Sequence, residues 1–474
     1  MSAIHDLSVL ELATAIRRRE VSPVEVVNHY LGRIEQHNPQ VGAYFTVTAE
    51  LASDQAAAAE KAVARATDPD TLPPLTGVPI PVKDLNMVAG VRQTLGSVVF
   101  SDNVPAEDDH VSAALRAAGA VMVGKTATPE FGLPCYTETA IGPPARNPWD
   151  LTRSAGGSSG GAAAAVAAGL APAAQGSDGG GSIRIPASVC GLFGLKPTRG
   201  RISLAPMVPD LSGLTTDGAL ARTVADAALL LDVMAGNEDG DMYTQPPLSP
   251  GETFLSCTRR EPGRLKVGRS LQHPVVGAVV HPDCVRAYEE AATLLASLGH
   301  EVTDVDLPLG PDVVPQFEVL WYSVSTLVPV TPADEDRLTP LTRYLRARGR
   351  EVSAPELLFT QAYLQHMVRA AWKTLNNYDV VLTPTLASPP VPVGYFEDVA
   401  PAENFERQKR FTPYTAVVNV VGQPAVSVPL HWNDDGLPIG VMLAGRMGEE
   451  ATLLSLSAQL EAARPWRHRH APMW

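Results

Sequence analysis

Two glycine-framed serines and one lysine are the residues of this chain whose types and spacing could do chemistry. Gly156-Gly157-Ser158-Ser159-Gly160-Gly161 is followed, 24 residues after Ser158, by Gly179-Gly180-Gly181-Ser182. Glycine admits positive φ and close backbone approach, and successive unhindered N–H groups form a concavity for an anion. Beside a serine hydroxyl, that supplies a nucleophile and donors for the oxyanion it creates, the two needs of acyl transfer. The serine also needs a base. His110 and His273 flank the region, but neither sits in a recognisable motif. Lys83 is the better candidate. It ends the run Gly77-Val78-Pro79-Ile80-Pro81-Val82, and burial there would disfavour its charged form. Asp84 would oppose this if it paired with Lys83. In isolation a Gly/Ser run reads as a flexible loop and a lysine as solvated; only the ordered set of segments argues for a site.

The elements that must position these groups follow from the patterning. Ser22-Pro23-Val24-Glu25 is a capping box with proline at the first helical position. Val26, Val27, Tyr30, Leu31 and Ile34 form one apolar stripe behind it. An alanine-rich helix is expected over 50–66. Residues 77–82, with two prolines, read as an edge strand or strand entry. Residues 111–118 read as a helix capped by Gly119, and 120–123 as a buried strand. A small-residue helix is expected over 162–168, and a polar surface connection over 236–265. Further on, strands at 265–267 and 301–305 flank a helix at 284–298. Strands at 423–430 and 438–444 precede a last helix at 449–463. Helix–strand alternation of this kind argues an α/β fold. No internal repeat or domain boundary stands out, so 1–474 is read as one domain.

Composition narrows the function classes. Of 474 residues 45% are apolar, enough for a sizeable core, and 19% are charged, below the usual ~25%. A net charge of −14 disfavours nucleic-acid or membrane-surface binding as a main role. Cys135, Cys190, Cys257 and Cys284 lack C-x-x-C spacing, so neither a zinc site nor a disulfide framework is suggested. The start has no basic n-region, and the longest apolar run, 162–174, is broken by Gly169 and Pro172 and is too short to span a bilayer. A reduced, cytoplasmic location is expected.

The stretch GGSSGGAAAAVAAGLAPAAQGSDGGGSIRIPASVCGLFGLKPT, from Gly156 to Thr198, resembles the defining segment of the amidase signature family. GVPIPVKDLNMVAG, from Gly77 to Gly90, is similar to that family's lysine segment. VGQPAVSVPL (421–430) and GLPIGVMLAGR (436–446) are similar to its C-terminal strands. The resemblance covers nearly the whole chain, with a signature core at about 75–200, and is weakest over the variable region at about 236–375. It implies a large, mixed, twisted β-sheet covered by helices on both faces. It puts the family's catalytic lysine on Lys83, its bridging serine, held by a cis peptide, on Ser158, and its nucleophile on Ser182. The oxyanion hole would be the backbone N–H groups of Gly179, Gly180, Gly181 and Ser182. Ser159, Asp178 and Arg184 would support rather than react. Gly179 stands where relatives usually carry a larger residue, which could loosen the loop but removes no donor. The implied activity is hydrolysis of a small linear or aryl amide, or of a carbamate or ester, through an acyl-enzyme, with no metal or cofactor. Tyr136, Ile141, Trp321 and Tyr322 are candidates to line the pocket. Among partners the reading leaves open a homodimer.

Three other readings compete. Gly119-Ala-Val-Met-Val-Gly124-Lys125-Thr126 matches a P-loop literally, but such a loop needs a helix beginning at the lysine, and here 120–123 is itself strand-like. The glutaminase subunit of a tRNA-dependent amidotransferase shares the signature, but Ile185 stands where that subunit's glutamine is expected. A non-catalytic scaffold would have no reason to keep all three of Lys83, Ser158 and Ser182.

Overall fold

The computed structural model describes residues 3–206 and 212–474. Strands β1 (Tyr44–Val47), β2 (Val82–Lys83) and β3 (Gly124–Thr126) form a small sheet in the order β1-β3-β2. A hairpin joins β4 (Arg146–Asn147) to β5 (Asp150–Ser154). The large sheet uses β6 (Ala173–Asp178), β7 (Phe193–Lys196), β8 (Thr216–Ala221), β9 (Lys266–Arg269), β10 (Glu301–Asp304), β11 (Val380–Pro384), β12 (Ala425–Trp432) and β13 (Pro438–Gly445). Its order is β10-β9-β11-β13-β12-β7-β8-β6. β9 pairs in parallel with β10 and β11, and the other pairings are antiparallel, so the sheet is mixed.

Helices cover both faces. Along a strand alternate residues face opposite sides. On β13, Gly440 lies against Ser188 of helix Arg184–Cys190, whereas Gly445 lies against Leu453 of helix Glu450–Ala463. The first helices form as their caps direct. Ser22 accepts from Glu25 N–H and Glu25 reaches back, starting helix Pro23–Val41; Val26, Val27, Tyr30 and Ile34 of its stripe are buried. The alanine-rich helix spans Ala49–Arg65.

One expectation needs correction, and one strand carries no signal in the sequence. The strand placed at 120–123 begins at Gly124; Val121 makes only an isolated bridge to Pro79. β1, four residues between two helices, has no clear alternation, yet it pairs antiparallel with β3. The P-loop reading fails on the same segment. Lys125 and Thr126 lie within β3, and Lys125 is fully buried with its Nζ 3.4 Å from Asp84 Oδ1.

The helix Gly160–Ala167 is buried along its whole length. Only small residues allow this. A Cβ on Gly161 would come within 2.3 Å of Ala127 N and 2.5 Å of Ala43 O, both backbone atoms that cannot move aside. Gly161→Ala is therefore expected to cost about 3 kcal/mol or more through forced backbone shifts. A melting temperature equal to wild type would contradict this packing.

Candidate active site

β2 delivers the lysine. It is the edge strand beside β3, with Lys83 in register with Thr126. Gln175 on β6 accepts the Lys83 backbone N–H through Oε1 at 2.8 Å, which fixes the strand end against the large sheet. Strand alternation then sends Lys83 and Asp84 to opposite sides. Asp84 turns to Lys125 and accepts from Thr94 N–H at 2.9 Å, so it does not pair with Lys83.

Lys83 is fully buried. Its Nζ lies 2.8 Å from Ser158 Oγ, 2.9 Å from Ser159 Oγ and 3.0 Å from Ser177 Oγ. Among the described residues no carboxylate forms an ion pair with it. Burial pulls its pKa down to about 7, against the opposing pull of Asp217 and Asp178. A neutral amine has two N–H groups and one lone pair, so one of the three hydroxyls must donate to it. Ser159 Oγ donates to Ser177 O at 3.1 Å, which leaves Ser158 or Ser177 as that donor. Low pKa alone would not single out Lys83. Burial also brings Lys196 to about 7, but among the described residues its Nζ hydrogen-bonds only Pro197 O, at 2.9 Å.

Ser158 follows a cis Gly157–Ser158 peptide. Gly157 lies flat against the Tyr136 backbone, where a Cβ would approach to 2.7 Å. Ser182 sits in the turn between β6 and helix Arg184–Cys190, and its carbonyl accepts from Ser159 N–H at 3.1 Å. Among the described residues its hydroxyl has no hydrogen-bond partner, and it faces an open cleft.

Asp178 and Arg184 hold this turn from beneath. Both are fully buried, and the pair is bidentate, with Nη2–Oδ1 at 2.9 Å and Nε–Oδ2 at 3.0 Å. Asp178 also accepts from Ile183 N–H at 3.1 Å and Asn419 Nδ2 at 2.9 Å. Burial works to raise the Asp178 pKa, but the adjacent Arg184 guanidinium outweighs it and holds the carboxyl well below the usual range. Asp178 Oδ1 further accepts from Gly181 N–H at 2.8 Å. Of the four loop amides named from the sequence, Gly181 is therefore committed to Asp178.

The cleft holds about 720 Å³ of empty space, its open mouth included. Phe317 and Trp321 stack at 5.3 Å and line it together with Leu133, Ile185 and Phe405. Of the four pocket candidates only Trp321 lines this cleft. Tyr136 stacks on Phe396 at 4.8 Å and lines a separate cavity. Tyr322 packs against Phe405 and Tyr344 on the inner side of its helix. Ile141 is not among the cleft residues. Sequence reasoning missed Ser177, Gln175, Asn419 and Asp217. Ser177 lay inside the quoted signature stretch, but nothing local marks it. His110 bonds Glu238 at 2.9 Å, His273 packs on Tyr414, and neither lines the cleft that Ser182 faces.

Removing Arg184 would strand a buried carboxylate, which typically costs 3–5 kcal/mol, roughly. Arg184→Met should therefore lower the denaturant midpoint sharply; an unchanged midpoint would show that the pair does not hold the turn.

The amidase family model matches residues 25–454. The protein AmiB2 of Mycobacterium tuberculosis is 41% identical over 445 residues, 93% of this chain and 92% of that one. A solved 6-aminohexanoate cyclic dimer hydrolase, complexed with substrate, matches with a TM-score of 0.91 at 31% identity over 99% of each chain. A bacterial aryl acylamidase of the amidase signature enzymes matches with a TM-score of 0.86 at 26% identity over 98% of each chain. The chain belongs to the amidase signature family, hydrolases that act on the C–N bonds of amides.

Proposed function

We propose that this protein hydrolyses small aryl or aliphatic amides through an acyl-enzyme on Ser182, with Ser158 relaying protons to Lys83. The observation that carries the reading is the buried Lys83 amine, 2.8 Å from Ser158 Oγ and without a carboxylate partner, behind a cleft that Ser182 faces. In its neutral form Lys83 accepts a proton from Ser158. Ser158 takes the proton of Ser182 as that oxygen attacks the carbonyl. The oxyanion is received by the N–H groups of Gly179, Gly180 and Ser182, each donor worth about 3 kcal/mol; Gly181 N–H is engaged by Asp178. Ser158 then returns a proton to the leaving amine, and water releases the acyl group by the same path.

The wall chemistry supports an apolar substrate. Aromatic and aliphatic side chains dominate the cleft, and such surfaces bind by burial with few polar anchors. Gly179 adds room, since a Cβ there would lie 3.5 Å from the Trp321 ring. The one lysine in the lining, Lys409, is paired with Glu318 and Glu406. Among the described residues no free cation is thus offered to the α-carboxylate of glutamine, which disfavours the glutaminase reading. Two structural relatives, by their names, act on an aryl acylamide and on a cyclic amide dimer; anilides and that dimer are the first substrates to offer. Carbamates and esters fit the same chemistry.

A short-acyl 4-nitroanilide tests the reading. Wild type should release 4-nitroaniline, and Ser182→Ala should not. Ser158→Ala and Lys83→Ala should each lose about three orders of magnitude in kcat, and the double variant little more, because groups acting as a unit are non-additive. Wild-type turnover by Ser182→Ala would overturn the assignment. Trp321→Ala should raise KM for the anilide by about tenfold while sparing acetamide, the scale of one lost aromatic contact.

A further inference from the structure

Behind the wall formed by residues 133–136 lies a second cavity, of about 1120 Å³ with its mouth included. Pro134 lines both spaces. The second cavity differs from the cleft in charge. Glu130, Glu138 and Glu397 line it, and among the described residues no lysine, arginine or histidine does. The rest of its surface is largely apolar, with Tyr136, Leu341 and Val399 among its walls.

Two of the three carboxyls are not equivalent to the third. Glu130 is satisfied, accepting from Ser97 Oγ at 2.7 Å and from Thr339 N–H and Oγ at 2.8 Å. Glu397 is exposed. Glu138 is 8% exposed, and its Oε2 accepts from Gly394 N–H at 2.9 Å. Its Oε1 is buried and has no partner among the described residues. A buried carboxylate oxygen without a donor is costly unless something supplies one.

We propose that this cavity binds an organic ammonium ion with a small apolar body, its N–H groups on the Glu138 carboxyl and its charge balanced further by Glu397. An ammonium offers the missing donors and the opposite charge, and an apolar body matches the walls. A divalent metal fits poorly, because among the described residues no group of three or more His, Cys, Asp or Glu is arranged to hold one. An anion would face three carboxyls.

The site responds to pH. Burial, then the nearby Glu397 charge, pushes Glu138 up to about 7, with Arg146 pulling the other way. Glu130, Cys135 and Tyr136 are the other titratable neighbours. Below that pH Glu138 is neutral and attracts the cation weakly; above it the carboxylate is present. Affinity therefore rises with pH as long as the amine stays protonated.

Calorimetric titration of the full chain with benzylamine and with its neutral counterpart, benzyl alcohol, tests the proposal. Benzylamine should bind, and should lose at least about tenfold in affinity in Glu138→Gln, which keeps an acceptor for Gly394. Affinity should also fall about tenfold between roughly pH 8 and pH 6. Val399→Trp, which fills the cavity without touching a carboxyl, should weaken binding as well and serves if Glu138→Gln does not fold. Absence of benzylamine binding, equal binding of benzyl alcohol, or binding indifferent to both substitutions would overturn the site.

Discussion

Everything at this site depends on keeping an amine out of water without giving it a counter-ion. Lys83 is fully buried, and its near neighbours are three serine hydroxyls rather than a carboxylate. Desolvation penalises the ammonium form, which is why its pKa falls to about 7. A paired carboxylate would reverse that. The fold avoids it by alternation along β2, which gives Asp84 to Lys125 and leaves Lys83 to the serines. Asp217 stands one layer away, joined through Gln175, whose Nε2 donates to Asp217 Oδ1 at 2.7 Å. Burial raises Asp217 itself to about 7, so it tempers the lysine without locking it as a cation.

The second constraint is a loop whose backbone must stay open to a ligand while its shape is fixed from below. Asp178 and Arg184 do this with a bidentate pair and bonds to the loop and to Asn419. Such a buried pair adds little net stability, but neither partner can be lost cheaply. The work it performs is positional: Gly181 N–H is drawn down to Asp178, and Ser182 faces the cleft.

Much of this was legible in the sequence, and the failures have physical causes. The capping box at Ser22, the glycine-rich turns and the apolar run before Lys83 are local signals, and each marks an element that formed. What the chain could not announce is what register brings together. Asp217 reaches the site because β8 pairs with β6, opposite Ser177, a pairing between segments about forty residues apart with no shared motif. Of the pocket candidates, Trp321 lines the cleft, and Tyr136 and Tyr322 miss it through parity. Phe317 and Trp321 are four apart on one helix and share the cleft face, whereas Tyr322, one residue on, turns inward. In the extended wall Cys135 lines the cleft and Tyr136 the second cavity. The proposed oxyanion loop offered four amides on paper, and only the fold shows that Gly181 is spent on Asp178.

The most direct test of a buried, uncharged base is the pH dependence of kcat/KM for an amide substrate, followed in wild type and in Asp217→Asn from about pH 5 to about pH 9. In the proposed mechanism Lys83 must lose its proton to work, so the rate should rise with pH and level off above about 7. Removing the Asp217 charge, which holds the Lys83 pKa up, should move the inflection to lower pH. A profile flat across this range, or one still rising at its upper end as an ordinary lysine would give, would contradict the account.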